Sequence, residues 1–215
     1  MEKELSLPQL SAEQIRVLGV LIEKSKTTPE YYPLSLNGLT TGCNQKTSRK
    51  PVVNYSEEQV GITLQELKQL GLVATATGGS MRTTKYKHNF AIAYPLIPSE
   101  TTILCLLFLR GALTPGEINT NSGRMHEFET LEDLQQQLDK LSDEGYIQKL
   151  PKAAGQKEQR YIHCFAPYTE PEQQQNTNAD SFSADSTLQE RVNQLEKELA
   201  ELKERFEQLY NELMN

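Results

Sequence analysis

Cysteine is scarce and scattered in this chain: Cys43, Cys105 and Cys164 are the only three in 215 residues, and no two have a CxxC spacing. That excludes a disulfide framework and a zinc knot, and with two of the three among apolar neighbours they read as buried free thiols. Long apolar runs are missing too. The longest, Ile103 to Leu109, falls far short of the ~20 residues that span a bilayer. The Met1-Glu2-Lys3-Glu4 start has no apolar signal-peptide core, so a soluble, cytoplasmic chain with no membrane partner is expected. No glycine-rich phosphate cradle, nucleophile elbow or HExxH string occurs, and His163 beside Cys164 lacks metal-ligand spacing with the distant His126. Hence no catalytic residue, metal site or cofactor is expected, and the chain does not read as an enzyme.

Positive charge is in deficit overall, with a formal net charge of −7, but the deficit is local. Residues 167–215 hold 11 acidic and 4 basic side chains, which accounts for all of it. Residues 1–95 carry 11 basic against 8 acidic groups, and residues 96–166 carry 7 against 10. A polyanion should prefer the first segment, because phosphate contact follows local Lys and Arg rather than whole-chain charge.

A single pattern is written twice: helix, short helix, longer helix ending at Gly, then two strands around a turn. In the first copy Ser11 with Gln14, Ser35, and Ser56 with Gln59 mark three helix starts. The third helix runs through Val60, Leu64 and Leu67 to Gly71, and a hairpin follows about Gly78-Gly79-Ser80, where glycine permits positive φ. Alternation along the returning strand places Lys85 and Lys87 on one face, expected toward solvent, and Tyr86 and His88 on the other. Thr27-Thr28-Pro29 and Leu113-Thr114-Pro115 are 86 positions apart, whereas Leu64…Gly71 and Leu138…Gly145 are 74 apart. The first copy therefore holds 12 extra residues between its second and third helices, where the basic stretch Asn44 to Pro51 lies. The competing reading is chance similarity between generic amphipathic helices. The expected fold is mainly α with small β-hairpins (α+β): two tandem winged-helix domains, residues 1–95 and 96–166, a flexible linker over 167–187, and a coiled-coil helix over 188–215.

The last of these rests on an unbroken four-three spacing of Leu188, Val192, Leu195, Leu199, Leu202, Phe206, Leu209 and Leu213. In a parallel pair Arg191 would meet Glu196 and Glu198 would meet Lys203, so a parallel homodimer is expected. A helix folded back on its own domains is the alternative, since Phe206 fits a two-stranded seam poorly.

Tyr31 to Asn37, Cys43 to Lys46 and Arg49 to Val52 resemble the signature of the bacterial YceH family, as do Arg110 to Glu117, Arg124 to Phe128 and Gly155 to Tyr161. The resemblance spans most of residues 11–166. It implies tandem winged-helix domains, often with a C-terminal helical tail, and implies no substrate.

Winged helices that bind duplex DNA commonly insert the third helix in the major groove while the wing touches phosphates. Lys46, Arg49 and Lys50 of the insertion and Arg82, Lys85 and Lys87 of the wing are the candidate DNA-binding residues, expected to converge into one basic surface. Outward polar groups of the third helix, Gln59, Thr63, Gln65 and Gln69, could read base edges, but the helix opens Ser56-Glu57-Glu58, and carboxylates there repel phosphate. The second copy's third helix is more acidic still; its wing cations Lys149, Lys152, Lys157 and Arg160 leave a phosphate role open. The string Arg124 to Phe128 reads as a loop before the last helix, where His and Arg can be functional; the favoured reading is structural, with Met125 and Phe128 anchoring the loop while Arg124 pairs with a carboxylate. The leading expectation is a DNA-binding protein of the transcriptional-regulator kind. Its rival is an adaptor that docks a protein partner through winged-helix domains.

Overall fold

The computed structural model describes residues 7–76, 83–152 and 158–168. Arg82, Lys157, the linker from residue 169 onward and every seam position from Leu188 to Leu213 lie outside the described residues.

Within them seven α-helices and small antiparallel sheets alternate. Helix α1 spans Ala12–Thr27, and Ser11 and Gln14 satisfy each other's backbone N–H groups at 3.2 and 2.9 Å, a closed capping box. A short 3-10 turn, Pro29–Tyr31, leads to β1 (Leu34–Ser35) and α2 (Leu36–Cys43), capped by Ser35 Oγ on Gly38 N. Helix α3, Glu57–Gln69, opens on the reciprocal Ser56–Gln59 pair. Gly71 with φ +73° reverses the chain into β2 (Val73–Ala76), which pairs with β3 (Lys85–His88) in the register Val73↔His88. Strand β1 lies on the other side of β3, giving the order β1-β3-β2.

After the short α4 (Phe90–Ala93), the order recurs as α5 (Pro98–Arg110), α6 (Pro115–Ser122), α7 (Leu131–Asp143), β4 (Ile147–Lys149) and β5 (Tyr161–His163). Leu113 and Tyr161 exchange backbone hydrogen bonds of 3.1 and 2.9 Å, so a bridge before α6 flanks β5 as β1 flanks β3. Gly145, φ +81°, ends α7 as Gly71 ends α3.

The two halves share one interior. Helix α1 packs along α5, and at Gly19 the approach is so close that a Cβ would lie 2.9 Å from Leu109 Cδ2 and 3.1 Å from Phe108 Cβ. Helix α4, which no sequence signal announced, drives Phe90 into an aromatic cluster with Tyr94, Phe108 and Phe165 at centroid separations of 5.0 to 5.8 Å. Burying such rings contributes about 1.5–3 kcal/mol each. The described residues accordingly belong to one compact unit. Among them no helix is long and apolar enough to cross a membrane.

Candidate anion-binding face

The 44–51 segment is held by polar clamps rather than by apolar contact. Arg16, 3% exposed, donates to Cys43 O at 3.1 Å and Pro51 O at 2.6 Å. Asn44 and the Tyr55 backbone exchange two bonds of 2.8 Å, and Lys50 N reaches Leu109 O on α5 at 2.9 Å. Arg49, expected on the DNA-binding surface, turns inward instead. Its side chain is fully buried and its five N–H donors have five acceptors: Gly42 O, Ser48 O, Gln45 Oε1 and both carboxylate oxygens of Glu23, the latter at 3.0 and 2.6 Å. Burial alone would raise the pKa of Glu23, but its bonds to Arg49, with the charges of Arg49 and Lys24, hold it below the ordinary carboxylate value. Arg49 is thus a structural cation with no donor left for a phosphate.

What the clamp presents outward is different. Three adjoining clefts line this side of the molecule, with volumes of about 650, 410 and 350 Å³. The largest lies between α1, the 44–51 segment, the end of α5 and the loop after α6, and takes in Lys24, Lys46, Arg110 and Arg124. The second shares Lys24 and Gln45 with it and adds Lys85 beside Tyr31 and Pro33. The third shares Ser48, Arg110 and Asn121 with the first and adds Lys50 and Arg160. Lys46, Lys50 and Lys85 therefore line clefts that share residues and form one face. Lys87 is exposed on β3 but lines none of the three.

Sequence reasoning did not place Lys24, Arg110 or Arg124 on this face. Counting Arg49 behind the wall, the linings hold eight cations against two carboxylates, Glu23 and Glu117. Glu117 is taken by Arg160 at 3.0 Å, and Glu23 by Arg49 and by Lys24 at 3.3 Å. Lys46, Lys50, Lys85, Arg110 and Arg124 make no ion pair among the described residues. For Arg124 this departs from expectation: Met125 and Phe128 do pack into the core, but Arg124 stays exposed along the cleft with no carboxylate partner among the described residues. Arg110 is half-buried, and burial together with the nearby charge of Arg49 lowers its pKa, Glu23 opposing.

The third helices offer no such face. On α3 the exposed charges are Glu57, Glu58 and Glu66 against Lys68, and Thr63, expected outward, is 5% exposed with its hydroxyl on Gln59 O. Thr63 sits on the inward stripe with Val60, Leu64 and Leu67. On the second half Lys149 is taken by Asp139 at 2.7 Å and Lys140 by Glu100 at 2.7 Å.

Burial pushes the Cys43 thiol up to about 12 and the Cys105 thiol higher, so neither is a ready nucleophile. His88, bonded to Ser25 Oγ at 3.1 Å, and His163, edge-on to Phe108, are each pulled down to about 4 by burial, in His88 aided by Lys26. Among the described residues no three His, Cys, Asp or Glu side chains gather where they could hold a metal ion.

Residues 10–156 match the family described as "Protein of unknown function, DUF480". The chain is 42% identical over 216 aligned positions to a UPF0502 protein of Shewanella piezotolerans, covering 94% of this chain and 98% of that one. It is 40% identical over 208 positions to the UPF0502 protein YceH of Salmonella paratyphi A, covering 94% and 96%.

Proposed function

The chain belongs to the DUF480 family that includes YceH, a family defined without an activity, and on the strength of its basic clefts we propose that it is a non-enzymatic cytoplasmic protein that binds duplex DNA through the phosphate backbone. One observation carries this reading: five cations without ion-pair partners among the described residues, Lys46, Lys50, Lys85, Arg110 and Arg124, share one continuous face. The connectivity supports it. In each half helix, bridge or strand, helix, helix, strand, strand follow in the order of a winged helix, with the returning strand central, and we read the protein as a tandem pair of them.

The mode of contact differs from major-groove insertion of the third helix. Helix α3 presents three carboxylates and one lysine, which a phosphate lattice repels. Binding through the clefts engages backbone phosphates, which position a protein without reading bases. Five such contacts release about five counterions, so log K should fall against log salt with a slope of roughly −3 to −5. Anisotropy of a labelled duplex across a salt series tests this. Lys46→Gln with Arg124→Gln should shallow the slope by about two; absence of binding at low salt, or an unchanged slope, defeats the reading.

A protein partner is the second reading, favoured by the acidic face of α7 and by Ile62, 56% exposed on α3. A partner retained in a pull-down after nuclease treatment would support it. The C-terminal heptads, on this proposal, join two copies in parallel. Removing residues 187–215 should then give a monomer by light scattering, and a truncated protein that stays dimeric would exclude pairing through the tail.

A further inference from the structure

The geometry points to a small phosphorylated organic molecule as a ligand of the largest cleft, its phosphoryl group held by Arg110 and Arg124. A volume of about 650 Å³ lies within the 300–1,000 Å³ typical of small-molecule sites, whereas a duplex, far wider, can offer such a hollow only a protruding phosphate. Arg110 is the telling residue. It lines both the first and the third cleft, is half-buried, and its guanidinium has no hydrogen-bond or ion-pair partner among the described residues. The other partly or fully buried guanidinium groups, on Arg16, Arg49 and Arg160, all have acceptors. A half-buried guanidinium near the charge of Arg49 gains from a counter-charge; no described residue pairs with it, and an incoming oxyanion would.

The lining specifies the ligand further. Four cations, Lys24, Lys46, Arg110 and Arg124, face one carboxylate, Glu23, already bonded to Arg49 and Lys24. That excess suits a doubly charged phosphoryl group better than a single carboxylate. Leu106, Leu109 and Met125 form an apolar part of the wall, which suits a carbon framework rather than bare phosphate. Because this occupant neutralises cations that the proposed DNA contact uses, it would weaken duplex binding, as an effector does. The inference thus rests on the same basic face but does not require that DNA be bound there.

The test is calorimetric titration of the full chain with inorganic pyrophosphate, AMP and adenosine at low salt, with duplex anisotropy in parallel. Pyrophosphate and AMP should bind saturably with Kd at or below about 1 mM, adenosine should not, and AMP should lower duplex affinity. Arg110→Gln and Arg124→Gln should each weaken AMP binding about tenfold or more while Lys87→Gln leaves it alone. Thermal melts establish that each variant is folded, and exposed Arg124 gives a readable variant if Arg110→Gln is not. Failure of AMP to bind, with or without pyrophosphate binding, equal binding of adenosine, or wild-type affinity in folded variants overturns the inference. Duplex binding without AMP binding assigns the clefts to backbone phosphate alone and overturns it while sparing the DNA proposal; AMP binding without duplex binding does the reverse.

Discussion

Replacing Glu23 by Ala should damage the fold far more than it changes any surface charge. The Arg49 side chain is fully buried and the Glu23 side chain 14% exposed, and the carboxylate takes two of the five guanidinium donors. In Glu23→Ala, Gly42 O, Ser48 O and Gln45 Oε1 still accept from Arg49, but the positive charge is left buried without a counter-charge. Breaking a buried pair from one side costs about 3–5 kcal/mol, against whole-domain stabilities of about 5–15 kcal/mol. Removing both charges, in Glu23→Ala with Arg49→Met, eliminates the stranded cation, so the double variant should be less destabilised than the two singles summed, by about 1–3 kcal/mol. Urea unfolding at neutral pH, read as midpoint shifts at constant slope, supplies all four corners of the cycle. If Glu23→Ala moved stability by less than about 0.5 kcal/mol, or the cycle showed no coupling, Arg49 would not be the neutralised structural cation described here. Its removal could then again be read as removal of a phosphate contact.

Two glycines make an opposed pair. Gly19→Ala must push against Phe108 Cβ at 3.1 Å as well as the movable tip of Leu109, so overpacking should outweigh the gain in helix propensity and lower stability by about 1–2 kcal/mol. Gly61→Ala meets nothing within 4 Å on α3 and should raise stability by about 0.5–1 kcal/mol; thermal melts of both check the sign as well as the size. His163 governs an acid limb. It stays neutral in the folded protein down to about pH 4, against an ordinary value of 6.5. Between those values the unfolded chain binds the extra proton, so stability is full above about pH 6.5 and falls as the pH drops, by at most about 1.4 kcal/mol per unit for this residue. In His163→Gln the loss in urea stability between pH 6.5 and 5 should shrink by up to about 2 kcal/mol; an unaltered profile would show that the imidazole is not kept neutral.

The helix starts were legible because their causes are local. Ser11 with Gln14 and Ser56 with Gln59 close boxes within four residues, and Gly71 occupies the left-handed position that a helix-to-strand reversal needs. Thr63 could also have been read correctly: it lies three residues after Val60 and four before Leu67, on the stripe that turns inward. Arg49 could not. Lys46, Arg49 and Lys50 form one basic string on paper, yet the segment shows its lysines to solvent and buries its arginine, and the reason is a carboxylate 26 residues upstream. The same applies to Arg110, whose place beside Lys46 follows from α1 lying close along α5 at Gly19, a contact between halves that no periodicity reports. Local charge density therefore located the half of the chain with cations to spare, but which of them can meet an anion depends on long-range pairing. Each guanidinium on this side is spent on carbonyls and carboxylates or has no partner among the described residues, and the latter, Arg110 and Arg124, lie in the half whose net charge argued against phosphate.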